Sequence, residues 1–224
     1  MHLNADFTLA VTVQAGGLPW VPSPVVGVER RMLDRIGEEV ARATSLVRYA
    51  PGSQFSRHTH GGGEEFLVLE GVFQDEHGDY PAGTYVRNPP GSAHTPASLG
   101  GCVILVKLWQ FDPADRTPVV IRPGERQWQD HPGLRRAMLH TDPREAVCLE
   151  DWQGGHTARR PLPGGAEVLV LAGTLLCGGE HLPAQTWLRL PAGSTLHATA
   201  GEAGCLLWCK TGHLTQTLPF DPAP

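Results

Sequence analysis

One sequence pattern occurs twice in this chain, and this repeat constrains the fold more than any other feature. Four segments recur in the same order, and each second copy follows its first by 102 to 106 residues. The pairs are GVERRML (27–33) with GLRRAML (133–139), EEFLVLEG (64–71) with AEVLVLAG (166–173), PPGSAH (89–94) with PAGSTLH (191–197), and CVILVK (102–107) with CLLWCK (205–210). Repeats at a nearly fixed displacement indicate duplicated structural units. The sequence therefore predicts two small domains with one core each.

Short apolar runs separated by turn residues predict that both domains are built from strands. FLVLEGVF (66–73), GTYVRNP (83–89) and CVILVKLWQF (102–111) have the length of strands and are rich in β-branched or aromatic residues. The chain has 27 Gly and 20 Pro residues, many of which lie between such runs as turn signals. We therefore expect an all-β sandwich or barrel fold with little helix.

The repeat also sets the expected domain boundaries. We expect an extended arm over 1–26, a first domain over 27–111, a linker over 112–132 and a second domain over 133–224. Prolines on both sides of Trp20 favour an extended conformation in the arm. The linker segment is polar and contains four prolines, which is typical of a connection between domains.

Composition excludes several classes of protein. The formal net charge of −5 argues against general nucleic-acid binding, because no excess of cations remains to neutralise phosphates. No apolar run is long enough to span a bilayer, and the first ten residues, MHLNADFTLA, lack the pattern of a signal peptide. The five cysteines lie mostly in apolar runs and are expected to be reduced and buried. We expect a cytoplasmic protein that binds neither nucleic acid nor membranes.

The stretch HTHGGGE, residues 58–64, brings two histidines and a carboxylate close together in the sequence. On a strand, residues i and i+2 face the same way, so His58 and His60 point together. The glycines permit a tight reversal, after which Glu64 enters the next strand beside the histidine pair. A later Pro-Pro-Gly turn leads to His94. Imidazole nitrogens and a carboxylate oxygen suit several divalent transition metals, so these four residues predict a metal site.

The spacing of these residues resembles the two sequence motifs of the cupin superfamily. The first motif is matched by Gly52, His58, His60, Glu64 and Gly71, and the second by Gly83, Pro89, Gly91 and His94. The resemblance implies two tandem jelly-roll β-barrels, a bicupin, with a metal ion in the mouth of the first barrel. Its implied ligands are His58, His60, Glu64 and His94. Ser98 departs from the second motif, which usually has Asn there, but this Asn is not a ligand in the family.

Residues 58–96 resemble one branch of the superfamily more closely, the cupin domain of the ChrR anti-sigma factor. This resemblance implies a ChrR-like bicupin with one metal site in its first barrel. The separate N-terminal domain that binds the sigma factor in ChrR carries a His/Cys zinc signature, and residues 1–26 contain no cysteine. We therefore expect no binding to a sigma factor.

The metal and the function remain open at this point. Zinc is the first expectation, and iron(II), manganese and nickel are alternatives that accept the same ligands. With zinc, the protein would be a structural or sensing module that responds to oxidants or to a small-molecule ligand. With one of the other metals it would be a dioxygenase that cleaves a diketone or an aromatic ketone, the metal acting as a Lewis acid. The sequence assigns no catalytic residue.

Four further residues are candidates for a substrate pocket. Tyr85, Arg87, Lys107 and Trp109 could line the mouth of the first barrel and bind a carboxylate or a ketone group. Glu65 is expected on the opposite face of the strand from Glu64, unless a bulge turns it into the ligand. Cupins often pair through sheet edges, so we expect a homodimer.

The second copy lacks most of the predicted ligands. Aligning Gly71 with Gly173 puts Arg160, Leu162 and Ala166 at the positions of His58, His60 and Glu64. One inserted residue would let His197 replace His94. A single imidazole is too little to hold a divalent ion. We expect a metal-free second barrel, which serves as a packing partner or keeps a pocket for an organic ligand.

Overall fold

The protein consists almost entirely of β-strands. The structure, a computed structural model, describes residues 1–215, and within them the only helices are two 3-10 turns, Ala15–Gly17 and Pro123–Glu125. No helix among these residues is long and apolar enough to cross a membrane. The prediction of an all-β fold with little helix is confirmed.

The described residues contain 22 strands. The first eleven are β1 (His2–Leu3), β2 (Val11–Gln14), β3 (Val21–Pro22), β4 (Val28–Gly37), β5 (Ala41–Tyr49), β6 (Ser53–Gln54), β7 (His58–Thr59), β8 (Glu64–Asp75), β9 (Gly78–Pro81), β10 (Tyr85–Asn88) and β11 (Ala93–His94). The others are β12 (Ala97–Ser98), β13 (Cys102–Leu108), β14 (Val119–Ile121), β15 (Trp128–His131), β16 (Leu134–Thr141), β17 (Ala146–Trp152), β18 (Thr157–Leu162), β19 (Ala166–Cys177), β20 (Glu180–Pro183), β21 (Thr186–Leu190) and β22 (Ser194–Thr211).

Two compact units share one strand order. The first unit comprises 1–5 and 19–125, and the second comprises 6–18 and the described residues from 126 onward. The main strands of the first are ordered β4-β5-β13-β8-β10-β14, and those of the second β16-β17-β22-β19-β21-β2. The pairings are antiparallel throughout, and they follow the repeated sequence segments. The tandem jelly-roll fold predicted from the sequence is therefore confirmed.

Each of these sheets ends in a strand from a segment that was predicted to lie outside the two domains. In the first unit, β14 comes from the predicted linker and pairs with β10. In the second unit, β2 comes from the predicted N-terminal arm and pairs with β21. Both strands contain β-branched residues, VVI and VTVQ, which favour strand pairing. The predicted linker and the predicted arm therefore each contribute the last strand of a sheet.

Side-chain alternation along β8 gives the first barrel a hydrophobic core with one carboxylate at its edge. Phe66 and Val68 of β8 pack in the core of the first unit with Ile104 and Val106 of β13. Glu64 lies on the same face of β8 as Phe66, because residues two apart on a strand share a face. The inner face of the first barrel therefore carries apolar residues along most of β8 and a carboxylate at the start of that strand.

A bulge near the middle of β8 depends on Gly71. The pairing of β8 with β13 shifts its register between Val103 and Ile104, and Gly71 adopts a φ of 70°. A Cβ atom at Gly71 would lie 2.1 Å from the carbonyl oxygen of Gly101. Gly173 of β19 also has a positive φ, 73°, and a Cβ atom there would lie 2.1 Å from the carbonyl oxygen of Gly204. Only glycine fits this position in either copy of the repeat.

We predict that Gly71→Ala lowers the free energy of unfolding by about 3 kcal/mol, because left-handed strain of about 1 to 2 kcal/mol adds to an overpacked contact of about 1 to 3 kcal/mol. Gly52→Ala is the matched control, since Gly52 has a φ of 77° but no atom within 4 Å of its Cβ position. Urea unfolding of both variants measures the difference. Equal losses would show that the approach to Gly101 is unimportant.

Candidate metal centre

Three histidines converge at one end of the first barrel. His58 and His94 are direct partners in the small sheet formed by β7 and β11, and His60 follows β7. The centroids of the three imidazole rings lie 4.7 to 5.0 Å apart. The main-chain N–H of His60 donates to the carbonyl oxygen of Ser92, and that of Gly91 donates to the carbonyl oxygen of His60, both at 2.9 Å. The backbone thus holds the two histidine-bearing segments together.

Glu64 brings a carboxylate to this histidine cluster. Its Oε2 lies 3.5 Å from Nε2 of His60 and 3.6 Å from Nε2 of His94. Asn88, the cross-strand partner of Glu64 on β10, donates from Nδ2 to the same oxygen at 3.1 Å and so orients the carboxylate. Ligand atoms that bind one ion at about 2.1 Å are about 3 to 3.5 Å apart. The separations around Glu64 therefore fit a shared divalent ion.

Two of the histidines bury a nitrogen that forms no hydrogen bond with a described residue. Nε2 of His60 and Nε2 of His94 are enclosed and form no hydrogen bond with a described residue. A buried polar atom without a partner is unfavourable and calls for a physical explanation. Burial lowers the pKa of His60, which favours the neutral imidazole that metals bind, although the charge of Glu64 opposes this effect. The donor atoms, their spacing and these two nitrogens fit a metal ion.

Asp75 fixes the ring of His94 from the other side. Its Oδ2 lies 3.2 Å from Nδ1 of His94, while its Oδ1 accepts hydrogen bonds from the N–H of His77 and the hydroxyl of Tyr80. Burial raises the pKa of Asp75, but these hydrogen bonds outweigh it, so the net shift is downward and the group stays ionised. A carboxylate on Nδ1 selects the tautomer that turns Nε2 toward a metal. Asp75 is therefore a positioning residue that the sequence analysis missed.

A cavity of about 570 Å³ adjoins the histidine cluster. Its wall includes apolar core residues such as Val47 and Val106, and the ring of Tyr49. Arg30 and Arg57 also border it, and their side chains form no hydrogen bond or ion pair with another described residue. The volume lies within the usual range for small-molecule sites. The cavity can therefore admit a small ligand to the side of the cluster.

The predicted substrate-pocket residues need correction. Of the four, Trp109 borders this cavity, whereas Tyr85, Arg87 and Lys107 do not. Arg87 and Lys107 are the cross-strand partners of Glu65, so they lie with it on the outer face of the sheet. Tyr85 also lies there, and its hydroxyl donates to Glu65 at 2.8 Å. These residues are buried in a polar cluster on the opposite side of the sheet from Glu64.

The second unit repeats this outer-face cluster. Glu167 lies between its cross-strand partners Arg189 and Lys210, in the same register as Glu65 between Arg87 and Lys107. All three residues of the second cluster are at most 1% exposed. The two copies therefore share the charge pattern on the outer face of the sheet.

The two copies do not share the residues on the inner face. Arg160 pairs with Leu196 across β18 and β22, as His58 pairs with His94 across β7 and β11. Leu196 is buried, whereas the neighbouring His197 is exposed on the other face of the strand. The expectation that His197 replaces His94 is therefore wrong, and no ligand position of the first barrel has a metal-binding side chain at its equivalent in the second.

Comparison with known families agrees with this architecture. The family model described as the ChrR cupin-like domain matches residues 8–112 and 116–215. The chain belongs to the ChrR cupin-like domain family. The two matches to this ChrR-like domain correspond to the two copies of the repeat. Among curated protein sequences, no significant match to the chain is found.

Solved structures with a similar fold belong to proteins of varied description. A protein of Nostoc punctiforme PCC 73102 for which dioxygenase activity has been suggested has a TM-score of 0.76 and 15% identity, over 96% of this chain and 88% of its own. The bacterial pirin of Escherichia coli, in complex with nickel(II), has a TM-score of 0.67 and 12% identity, over 91% and 99%. The oxalate decarboxylase of Lactobacillus farciminis, in a formate complex, has a TM-score of 0.66 and 10% identity, over 91% and 86%. At these identities the likeness shows the fold alone.

We predict that His60→Ala and Glu64→Ala each release the metal while the fold survives, because the core strands do not depend on the ion. Elemental analysis of protein purified without a metal-affinity tag measures the metal content per chain. His197→Ala, in the second barrel, is the control and should keep the full content. Full metal content in either first-barrel variant would show that the ligand assignment is wrong.

We also predict that Asp75→Ala weakens metal binding about 10- to 100-fold, the usual effect of losing a carboxylate that orients a histidine ligand. Asp79→Ala is the matched control, because Asp79 is exposed and, among the described residues, its side chain accepts a hydrogen bond only from Gln74. Competition titration with a chelator gives the dissociation constants. A similar change in the dissociation constant of both variants would show that Asp75 does not position His94.

Proposed function

We propose that the first barrel binds one divalent metal ion through His58, His60, Glu64 and His94 and presents it to a small organic anion in the adjoining cavity. This proposal rests on one observation: candidate metal ligands and two arginines lie around the same cavity. A ligand set with two buried nitrogens that form no hydrogen bond borders a cavity of about 570 Å³, and the same cavity is bordered by two arginines that have no hydrogen-bond or ion-pair partner within residues 1–215.

The charges around the cavity support an anionic ligand. Arg30 lies on the inner face of β4, opposite the core residue Val47, and so points toward the barrel interior. Arg57 borders the same cavity, together with the carboxylates of Glu39 and Glu64. Once a divalent ion is counted with the two arginines, positive charge exceeds negative charge. An arginine without a carboxylate partner donates well to a carboxylate or an enolate of a ligand.

Tyr49 adds a neutral donor to the cavity wall. Burial raises the pKa of its phenol, and the negative charge of Glu64 raises it further. The hydroxyl therefore stays protonated at all physiological pH values and is available to donate a hydrogen bond. Phe55 and Phe73 pack edge-on against its ring, with centroids 5.2 and 5.7 Å away, and so restrict its orientation.

We propose a sensing role as the function, with zinc as the bound metal. Membership of the ChrR-like family supports this choice, as does a cavity whose polar groups are suited to holding a ligand. The signal would be a small molecule or an oxidant that reaches the metal through the cavity. Its effect would be a change in the occupancy of the cavity or of the metal site.

A metal-dependent dioxygenase is the second candidate function, with a diketone or an aromatic ketone as substrate. The observation that favours it is that His58 is exposed and borders the cavity. Four protein ligands also leave two positions open on an octahedral ion. The metal, iron(II), manganese or nickel, would supply Lewis acidity. Arg30 and Tyr49 would hold the substrate by donating hydrogen bonds to its oxygen atoms.

One pair of measurements separates the two functions. Metal analysis of protein purified without an affinity tag is combined with oxygen consumption over a panel of diketones and hydroxyacetophenones. About one zinc per chain and no oxygen consumption would support sensing. Substoichiometric iron, with oxygen consumption that added iron(II) restores, would support the dioxygenase. A chain that binds no divalent metal under either condition would contradict both proposals.

We predict that Arg30→Met weakens the metal-dependent binding of salicylate, an aromatic carboxylate, about 10- to 100-fold. Loss of a hydrogen bond to a charged group costs about 1.5 to 3 kcal/mol, and each 1.4 kcal/mol is about a factor of ten in affinity. Arg48→Met is the control, because Arg48 pairs with Glu29 and does not border the cavity. Calorimetry with metal-loaded and metal-free protein isolates the metal-dependent part. Equal affinity of the two variants would exclude Arg30 as the anchor.

A further inference from the structure

The second barrel contains a cavity at the place that corresponds to the metal centre. This cavity has a volume of about 400 Å³. The four residues at the ligand-equivalent positions, Arg160, Leu162, Ala166 and Leu196, all border it. The second barrel therefore retains an internal cavity although its ligand-equivalent positions carry no metal-binding side chains.

One buried carboxylate in this cavity holds two arginines. Nη1 of Arg160 lies 2.7 Å from both oxygens of Glu150, and Nε of Arg136 donates to Oε1 of Glu150 at 2.8 Å. The indole N–H of Trp152 donates to Oε2 at 2.8 Å. Burial raises the pKa of Glu150, but the hydrogen bonds and charges of the two arginines, with the indole, outweigh it, so the carboxylate is ionised. Two guanidinium groups and one carboxylate leave one positive charge uncompensated.

The two arginines also keep unused donors. Nε and Nη2 of Arg160 and Nη1 of Arg136 have no hydrogen-bond partner among the described residues. The two side chains are 29% and 33% exposed, so these donors are not sealed in the core. The guanidinium of Arg160 lies 5.3 Å from the centroid of the Trp152 ring, and with Glu150 this contact restrains it. A donor held in place before binding loses less entropy when a ligand arrives.

The rest of the cavity wall is apolar or neutral. Leu162, Val168 and Leu196 are buried and line it. Cys148 and Cys209, which face each other across β17 and β22, also border it. The contact with Cys148 and burial raise the pKa of Cys209, so this thiol is neutral. The cavity therefore combines a cationic side with an apolar body.

The repeat supplies an independent observation. Arg136 in GLRRAML occupies the position of Arg30 in GVERRML. Each of these arginines borders the cavity of its own barrel. An arginine that reaches into the cavity is thus common to both copies, whereas the metal ligands are present in only one.

We propose that the second barrel binds a small organic carboxylate with an apolar body, held by Arg136 and Arg160 without any metal. The planar fork of arginine matches a carboxylate, and a volume of about 400 Å³ is within the range of small-molecule sites. This site is separate from the first cavity, and it does not depend on the function proposed for the metal centre.

The test uses the full chain after removal of metal with a chelator. Benzoate and hexanoate are titrated by calorimetry against their neutral counterparts, benzamide and hexanamide. We expect about one carboxylate bound per chain, with each amide at least about tenfold weaker, since it lacks the charge that the arginines attract. Carboxylates that bind no better than the amides, or that do not bind, would overturn the proposal.

Two variants of an exposed residue locate the site without disturbing the core. Met138 borders the cavity and is 41% exposed. Met138→Glu should weaken benzoate binding about fivefold, because a negative charge at the rim repels the ligand, whereas Met138→Gln should not. Arg30→Met, in the first barrel, should leave binding intact. Equal affinity of the two Met138 variants, or loss of binding in Arg30→Met, would show that the carboxylate binds elsewhere.

Discussion

The alternation of side chains along β8 governs the chemistry of the first barrel. Glu64 and Glu65 are neighbours in the sequence, yet a strand turns them to opposite faces of one sheet. Glu64 lies near His60 and His94 beside a cavity, and Glu65 enters a buried cluster with Arg87. Directly paired residues on antiparallel strands share a face of the sheet. The register of β8 with β10 and β13 therefore also puts Arg87 and Lys107 on the face of Glu65.

Comparison of the two units distinguishes residues that the fold needs, which occur in both, from residues that the metal centre would need, which occur in only one. The glycine at the bulge and the outer Glu, Arg and Lys cluster occur in both units. The ligand positions differ completely between the two inner faces. In the second barrel, the guanidinium of Arg160, bound to Glu150, provides a fixed positive charge near the position that an ion would take in the first. The same fold thus places candidate ligands for a metal cation in the first barrel and the cationic side chain of Arg160 in the second.

The fold and the convergence of the four predicted ligands were accessible from the sequence, because glycine, proline and histidine spacing reflect local backbone geometry. The pocket residues were not. Lys107 was predicted at the mouth of the barrel, but it pairs directly with Glu65 across β13 and β8, which puts it on the outer face. Arg30 carried a usable signal, since the repeat matches it to Arg136. Asp75 and Asn88 carried none, because their partners, His94 and Glu64, lie far away in the sequence and meet them only through hairpin geometry.

The pairing of β2 with β21 has a consequence for the order of folding. Val11 pairs with Arg189, so β2 is synthesised long before the strand with which it pairs. Until then β2 is an unpaired strand, and such strands are prone to associate with other chains. Contacts this distant in sequence also slow folding. The sheet of the second unit therefore gains its edge strand β2 only after β21 has been synthesised, and β2 must remain available for pairing during the synthesis of all the residues between them.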